Sequence, residues 1–312
     1  MTATRPTAGP GTGASEPPGA AGPPAGGRKA RGDKRETLYF ALRNPKVLIG
    51  AVVVLGFLLL GLIGPAFLRY APMDYAGPPM APPSAEFPFG TTTFGQDVFA
   101  QFVAGLRSTF LVGLLGGGVA AVIGMTIGFV AGYCGGLVDE LLNMLTNVVL
   151  VIPGFVVLII INAYLGVRSV PMQALYIGIF TWPWVARAVR SQTLSLRSRD
   201  FIDLARLSGV GVGTILRREV APNMYSYLFM TFVLLFGGSI LTAASLDFIG
   251  LGPTNAMSLG LMMNQAVQWS ALHLGLWWWF VPPGLGITLI VGSLYIMNVG
   301  LDEVFNPKLR EM

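Results

Sequence analysis

The chain has one cysteine, Cys134, and one histidine, His273, among its 312 residues. A single thiol excludes an internal disulfide, and so few soft ligands exclude a Cys-rich or His-rich metal framework. Cys134 reads as a packing residue at the end of an apolar run, and His273 has no second ligand at metal spacing. Charge is scarce as well: 11% of residues are Asp, Glu, Lys or Arg, against about 25% in a soluble domain. No Gly-x-x-x-x-Gly-Lys-Ser/Thr phosphate loop occurs, so the chain cannot hydrolyse ATP by that machinery. No serine stands in a Gly-x-Ser-x-Gly elbow. The carboxylates pair only at loop ends, Asp139 with Glu140 and Asp302 with Glu303, and read as solvated or partner-facing charges, not as a general acid and base. An enzyme is disfavoured. The central portions of the apolar runs also lack ionisable side chains, which argues against the proton relay of an ion-coupled carrier.

What the chain does contain is apolar surface: 53% hydrophobic residues and a mean hydropathy of +0.65. That composition is an integral membrane protein with little mass outside the bilayer. A spanning helix needs about 20 mostly apolar residues, and about six segments qualify, near Val47 to Leu68, Thr109 to Tyr133, Leu141 to Leu165, Pro171 to Val189, Met224 to Ser245 and Trp279 to Leu301. The fourth is short and contains Trp182, Pro183 and Trp184, which predict a kink or an interfacial seat. The fold class is an all-α membrane protein.

The net charge of +5 could suit nucleic acid, but the basic residues sit beside spans, where they act as topology signals. With the N-terminus cytoplasmic, the inner connections hold the run before Val47, then Arg187, Arg190, Arg197, Arg199, Arg206, Arg217, Arg218, Lys308 and Arg310. The outer ones hold Arg69, Arg107 and Arg168. Both termini are therefore expected in the cytoplasm of a multi-pass plasma-membrane protein. Residues 1–36 are rich in Pro, Gly and Ala and end in Arg28, Lys29, Arg31, Lys34 and Arg35. Such a tail buries too little apolar surface to offset its ordering entropy and is expected to be disordered. Its basic run fixes orientation or, alternatively, binds lipid. Residues 37–312 form the transmembrane domain.

In the outer connection, Ala71 to Pro88 predicts an extended, polyproline-like strap. Gln96 to Leu106 has helical apolar spacing and reads as an interfacial helix or as ordinary loop packing. Gly116, Gly117 and Gly118 read as close helix-packing positions. Asn143, Thr146, Asn147, Asn162, Thr242 and Asn298 are the polar side chains available to line a pathway, or they are interhelical hydrogen bonds. Trp277, Trp278 and Trp279 read as an aromatic belt, with a sugar-stacking surface as the alternative.

The segment from Asp203 to Asn223, DLARLSGVGVGTILRREVAPN, is a polar, basic insert between two apolar runs. It reads as two short helices: Asp200 or Asp203 caps the first, Gly209 and Gly211 interrupt the pattern, and the second stops before Pro222, which starts the next span.

The spacing of Asp203, Ala205, Gly209, Pro222 and Asn223 resembles the EAA loop of ABC importer permeases, with Asp203 in place of Glu and Leu204 in place of Ala. Phe89-Gly-Thr-Thr-Thr-Phe-Gly-Gln-Asp97 is similar to the signature before the second span in C-type permeases of dipeptide and oligopeptide importers. Ala131 to Glu140, Phe248 to Gly252 and Gly300 to Arg310 resemble later signatures of that family, in collinear order. The resemblance implies the type I ABC importer transmembrane fold, half of a translocation pathway, and a coupling loop over 200–223. It implies a homologous B-type permease as heterodimer partner, two ABC ATPase subunits and an extracytoplasmic solute-binding protein. No cofactor would be bound by this chain; ATP and Mg would sit on the ATPases. The coupling residues would be Asp203, Leu204, Ala205, Leu207, Gly209, Ile215, Leu216, Pro222 and Asn223. Leu204, Leu207, Ile215 and Leu216 would enter an apolar groove, and Arg206, Arg217 and Arg218 would pair with charges at its rim. Peptides are the implied cargo, with oligosaccharides or nickel complexes as alternatives. A membrane scaffold or sensor recruiting a cytoplasmic partner is the competing class.

Overall fold

The computed structural model describes residue 40 and residues 43–164 and 168–305. The tail through residue 39 with its basic run, and Lys308 and Arg310, lie outside the described residues. Among those described the chain is helical, with one isolated bridge between Thr91 and Asp97.

Among the described residues four helices are long and apolar enough to cross a membrane: Pro45–Phe67, Val98–Cys134, Tyr225–Leu251 and Trp277–Phe305. The first comprises α1 (Pro45–Ile63) and a 3-10 turn (Gly64–Phe67). It begins sharply because Asn44 accepts from the Lys46 and Val47 N–H groups and Pro45 needs no donor at the first turn. Helix α2 (Val98–Cys134) runs 37 residues, about 55 Å at 1.5 Å per residue. Asp97 caps it by accepting from the Phe99 N–H at 2.9 Å. Burial pushes the Asp97 carboxyl above its ordinary range, against the lowering effect of the Phe99 and Ala100 N–H groups.

The predicted third span is broken. Helices α3 (Gly136–Val151) and α4 (Gly154–Tyr164) meet at 73°, because Pro153 has no N–H to donate and forces Ile152 into extended backbone. Counted as one span, the pair makes a fifth crossing. The predicted fourth span is α5 (Val170–Thr181) followed by α6 (Pro183–Arg197). Trp182 keeps helical dihedrals between them, at φ −68° and ψ −27°, so Pro183 opens a new helix without a loop. Past Val189 the helix turns amphipathic and projects as far as Arg197, beyond the expected end.

Helix α10 (Tyr225–Leu246) widens into a π turn, Asp247–Leu251, and leads to α11 (Leu259–Gln268) and α12 (Trp277–Phe305). Helix α12 lies along α1, where a Cβ on Gly50 would come within 2.6 Å of the Ser293 carbonyl. The two are pinned at one end by Glu303, which accepts from Asn44 Nδ2 at 3.0 Å and pairs with Lys46. Glu303 thus tethers the chain to itself and is not partner-facing.

Two large apolar clusters occupy opposite ends of the bundle. One joins Phe102, Leu106, Ile240, Leu259, Met262 and Trp279. The other joins Tyr133, Val185, Val189, Ile202, Ile215 and Val220. The first cluster corrects the expected interfacial helix: residues 98–106 are the opening turns of α2 itself, buried beneath α11 and α12. It also corrects the aromatic belt. Trp279 is core, and Trp278 donates Nε1–H to the Thr91 carbonyl at 3.2 Å, leaving Trp277 as the exposed member of the three.

The Pro-rich strap is a set of turns folded onto residues 90–97. Ala76 and Gly77 donate to the Gly95 carbonyl, Met80 to that of Thr92, and Thr91 to that of Ala81. Its extended form is prevented by Gly90 and Gly95, at φ +66° and +73°, which turn the chain back. At Gly90 a Cβ would strike the Trp278 ring nitrogen at 2.7 Å.

Small residues set the spacing between helices. Cβ atoms on Gly124, Gly128 and Gly132 would lie 2.7 to 2.9 Å from atoms of α6 and its preceding turn, so α2 and α6 pack nearly backbone to backbone. Gly116 and Gly117 face the Ala174 carbonyl and Phe236 in the same way, whereas Gly118 faces nothing within 4 Å.

Candidate functional site

The Asp203 to Asn223 element lies at the end of the bundle where α2 and α6 terminate. Its first helix, α7 (Asp200–Leu207), starts after Arg199 with Asp200 and Asp203 in the first turn and Arg206 in the last, the charge order that a helix dipole favours. Gly209, at φ +73°, ends it, and the Val210 N–H returns to the Ala205 carbonyl at 3.2 Å. Left-handed backbone of this kind is cheap for glycine alone.

The second half comprises α8 (Val212–Ile215), a π turn (Leu216–Val220) and α9 (Ala221–Asn223). Here the expectation needs correction: helix does not stop before Pro222. The Ala221 N–H reaches back five residues to the Leu216 carbonyl, and this wider turn accommodates a proline that has no donor. The break comes two residues later at Met224, and Asn223 donates Nδ2–H to the Glu219 carbonyl at 2.5 Å. Tyr225, not Pro222, begins the span.

The element has two faces. Leu204 and Leu207 are 65% and 86% exposed, and Val210 and Val212 are also exposed. Ile202 is fully buried and Ile215 is 1% exposed, so Ile215 anchors the element instead of offering itself to a partner. Leu216 and Ala205 are half-buried against the same cluster. Arg217 and Arg218 are exposed beside Gly211, Gly213 and Thr214, around an open hollow. Arg206 departs from the expected rim role: its guanidinium lies over the Tyr133 ring, 5.1 Å from the centroid, and Nε donates to the Tyr133 hydroxyl at 3.2 Å. Asp203 accepts from Arg206 Nη1 at 3.1 Å.

Behind the element, Arg190 of α6 donates to both carboxylate oxygens of Asp139 in α3, at 2.5 and 2.7 Å. The Asp139 carboxylate is thus an internal tie between helices and not a partner-facing charge. Cys134 is exposed at the end of α2, against its expected packing role.

The pathway candidates stay dispersed. Thr146, Asn162 and Thr242 spend their donors on carbonyls four residues back in their own helices. Asn147 accepts from Arg187 Nη2 at 2.8 Å, Asn143 is half-buried, and Asn298 Oδ1 is buried without a partner. No hydrogen bond among the described residues joins two of the six. His273 is exposed, and the described residues contain no metal-ligand cluster.

One polar centre was missed in the sequence. Asp247, 2% exposed at the end of α10, accepts from Gln173 Nε2 at 2.6 Å and from Ser258 Oγ at 2.5 Å. Next to it Asn264 donates to the Phe248 carbonyl and Arg168 to that of Gly250. Together these bonds tie α10, α5 and α11 at the end opposite α7. Its signal was a lone Asp between apolar runs, two residues past the expected end of the fifth span.

These features define a multi-pass α-helical membrane protein that displays an exposed helical loop at one end. The chain belongs to the binding-protein-dependent transport system inner membrane components: the family's model matches residues 124–311, more than half its length. It is a transport permease with the type I ABC importer transmembrane fold. It is 31% identical over 285 residues to the dipeptide transport system permease protein DppC of Alkalihalophilus pseudofirmus, covering 88% of this chain and 90% of that one. A Brucella suis chain bearing the name of a peptide permease protein is 30% identical over 269 residues, covering 86% and 88%. A second from Brucella suis, bearing the name of a peptide transport system permease, is 29% identical over 234 residues, covering 73% and 76%.

Proposed function

We propose that this permease imports short peptides and that Leu204 and Leu207 dock it to an ATPase carried on separate chains. The observation that carries the reading is the exposed leucine pair on a helix that is held to the bundle on its other side by buried Ile202 and half-buried Ala205. An aliphatic side chain left in water forgoes about 1.5–3 kcal/mol of burial, so a charged, solvated loop keeps such a pair for a partner. Gly209 sets the turn between the two halves, Val210 and Val212 extend the apolar strip, and Arg217 and Arg218 supply charge at its rim. Ile215, Leu216, Pro222 and Asn223 hold the element in place, with Ala205 on its inner side and the exposed Asp203 bonded to Arg206. The names of the relatives support peptides as cargo over oligosaccharides or nickel complexes.

In this reading a homologous B-type permease completes the pathway, two ATPases bind ATP and Mg, and an extracytoplasmic binding protein delivers the solute. The arginine asymmetry supports cytoplasmic termini. Asn143, Asn147, Asn162, Thr242 and Asn298 remain the polar candidates for the pathway, completed by the partner permease.

Leu207→Asp tests the docking face. A carboxylate there forfeits the leucine's burial and adds a desolvation cost, so co-purification of the ATPases from solubilised membranes is expected to fall at least roughly tenfold. ATPases that co-purify at the parental level would refute docking through this face.

A further inference from the structure

The geometry points to Tyr133 and Arg206 as the strut that carries motion of the docked loop helix into the membrane helices. The inference rests on the docking reading and adds the residues by which docking would act.

Helix α7 is short, and its side chains divide by spacing. Leu204 and Leu207 face outward, whereas Ile202 and Arg206, four residues apart, lie on a common face that holds the bundle. Ile202 makes the apolar hold in the cluster that includes Tyr133. Arg206 makes the polar one, with its guanidinium stacked on the Tyr133 ring and bonded to its hydroxyl. Asp203, one turn earlier, fixes the guanidinium from the other side. A cation over an aromatic face with a second directional bond is attractive and also fixes geometry. Tyr133 itself is buried, so the contact ends on a ring that cannot swing freely.

What Tyr133 adjoins gives the contact its consequence. It is the penultimate residue of α2, and Gly135 and Gly136 follow it with φ of +70° and +54°. Two successive left-handed residues form the joint between α2 and α3. Each side of the joint is gripped separately: Arg206 holds Tyr133 before it, and Arg190 holds Asp139 after it. Arg197 covers the joint itself, its Nη1 only 2.5 Å from where a Cβ on Gly135 would stand. A pull on α7 therefore reaches the joint through Tyr133, while α6 holds α3 by a different bond. On one side α2 extends as a single 37-residue helix to the opposite end of the bundle; on the other lies the bent pair α3 and α4. Displacing Tyr133 relative to Asp139 changes the angle at two glycines, where backbone rotation costs least.

The test is made in the complete transporter, reconstituted in proteoliposomes, with labelled dialanine as the probe. ATPase co-purification, ATP hydrolysis and dialanine imported per ATP hydrolysed are measured for Arg206→Gln and Tyr133→Leu. The expected result is co-purification within twofold of the parent, retained hydrolysis, and import per ATP lowered roughly three- to tenfold, the range of one cation–π contact with its hydrogen bond. Should Tyr133→Leu fail to accumulate, Arg206→Gln decides alone, since it leaves the buried ring in place. Unchanged import per ATP in Arg206→Gln would overturn the strut. Loss of the ATPases from Arg206→Gln would overturn it too, by making Arg206 a docking residue. Failure of the docking reading itself shows separately, as unaltered co-purification in Leu207→Asp.

Discussion

Asp247 is the buried acceptor that ties Gln173 of α5 and Ser258, at the head of α11, to the end of α10. Its carboxylate is buried among two neutral donors; a Cβ on Gly252 would stand 2.8 Å from its Oδ1, and one on Gly260 would stand 2.8 Å from the Asp247 Cβ. Removing the acceptor leaves Gln173 and Ser258 unsatisfied in a closed site, so Asp247→Ala should destabilise by about 1–3 kcal/mol. Thermal unfolding in detergent should show a lower midpoint for Asp247→Ala than for Asp247→Asn, which keeps an acceptor. Equal midpoints for parent and Asp247→Ala would show that the three side chains do not hold the end of α10. Gly209 is a different case. No atom lies within 4 Å of its missing Cβ, so its requirement is backbone geometry alone. Gly209→Ala should cost about 1 kcal/mol locally, and Gly209→Val more, with weakened ATPase co-purification and a normal protein level. Parental co-purification in Gly209→Val would remove the turn from the docking account.

At the scale of elements, apolar runs foretold helices well, because burial in lipid and burial in the bundle both select long hydrophobic segments. The first, second, fifth and sixth spans are present as helices that extend or shift at their ends. What hydropathy does not encode is where one apolar helix breaks. Pro153 bends the third span and Pro183 restarts the fourth, and the Pro222 π turn carries helix past the expected stop. Nor could the sequence show which face of the loop is held. Leu204 and Ile215 look alike as letters, yet one is exposed and the other anchored, a difference set by contacts with α2 and α6. The Gly124, Gly128 and Gly132 row carries a prediction at this scale. Gly128→Leu would place carbon against the Ala186 carbonyl, where an added Cβ alone would stand at 2.7 Å. Because overpacking costs typically 1–3 kcal/mol, this variant should accumulate poorly or melt earlier, whereas Gly118→Leu, facing open space, should behave like the parent. Equal accumulation and melting would show that α2 and α6 are not close-packed through this row.

At the scale of the whole molecule, the bundle has one end built from turns sealed by Trp278 and the Asp247 network, and another that presents the helical loop. We propose the orientation that places the arginine-rich loop inside. In a Cys134→Ser background, required because Cys134 is exposed, a cysteine at Ser195 should resist an impermeant thiol reagent in intact cells and one at Asn255 should react. The reverse pattern would invert the topology. The central claim is that an ATPase on other chains drives peptide import through this permease by way of α7. Its most direct test is dialanine uptake into proteoliposomes containing the assembled transporter, with ATP supplied to the ATPase side and no ion gradient. The account predicts uptake that requires ATP and is lost in Leu207→Asp. Uptake driven by an ion gradient and indifferent to ATP, or undiminished in Leu207→Asp, would contradict it.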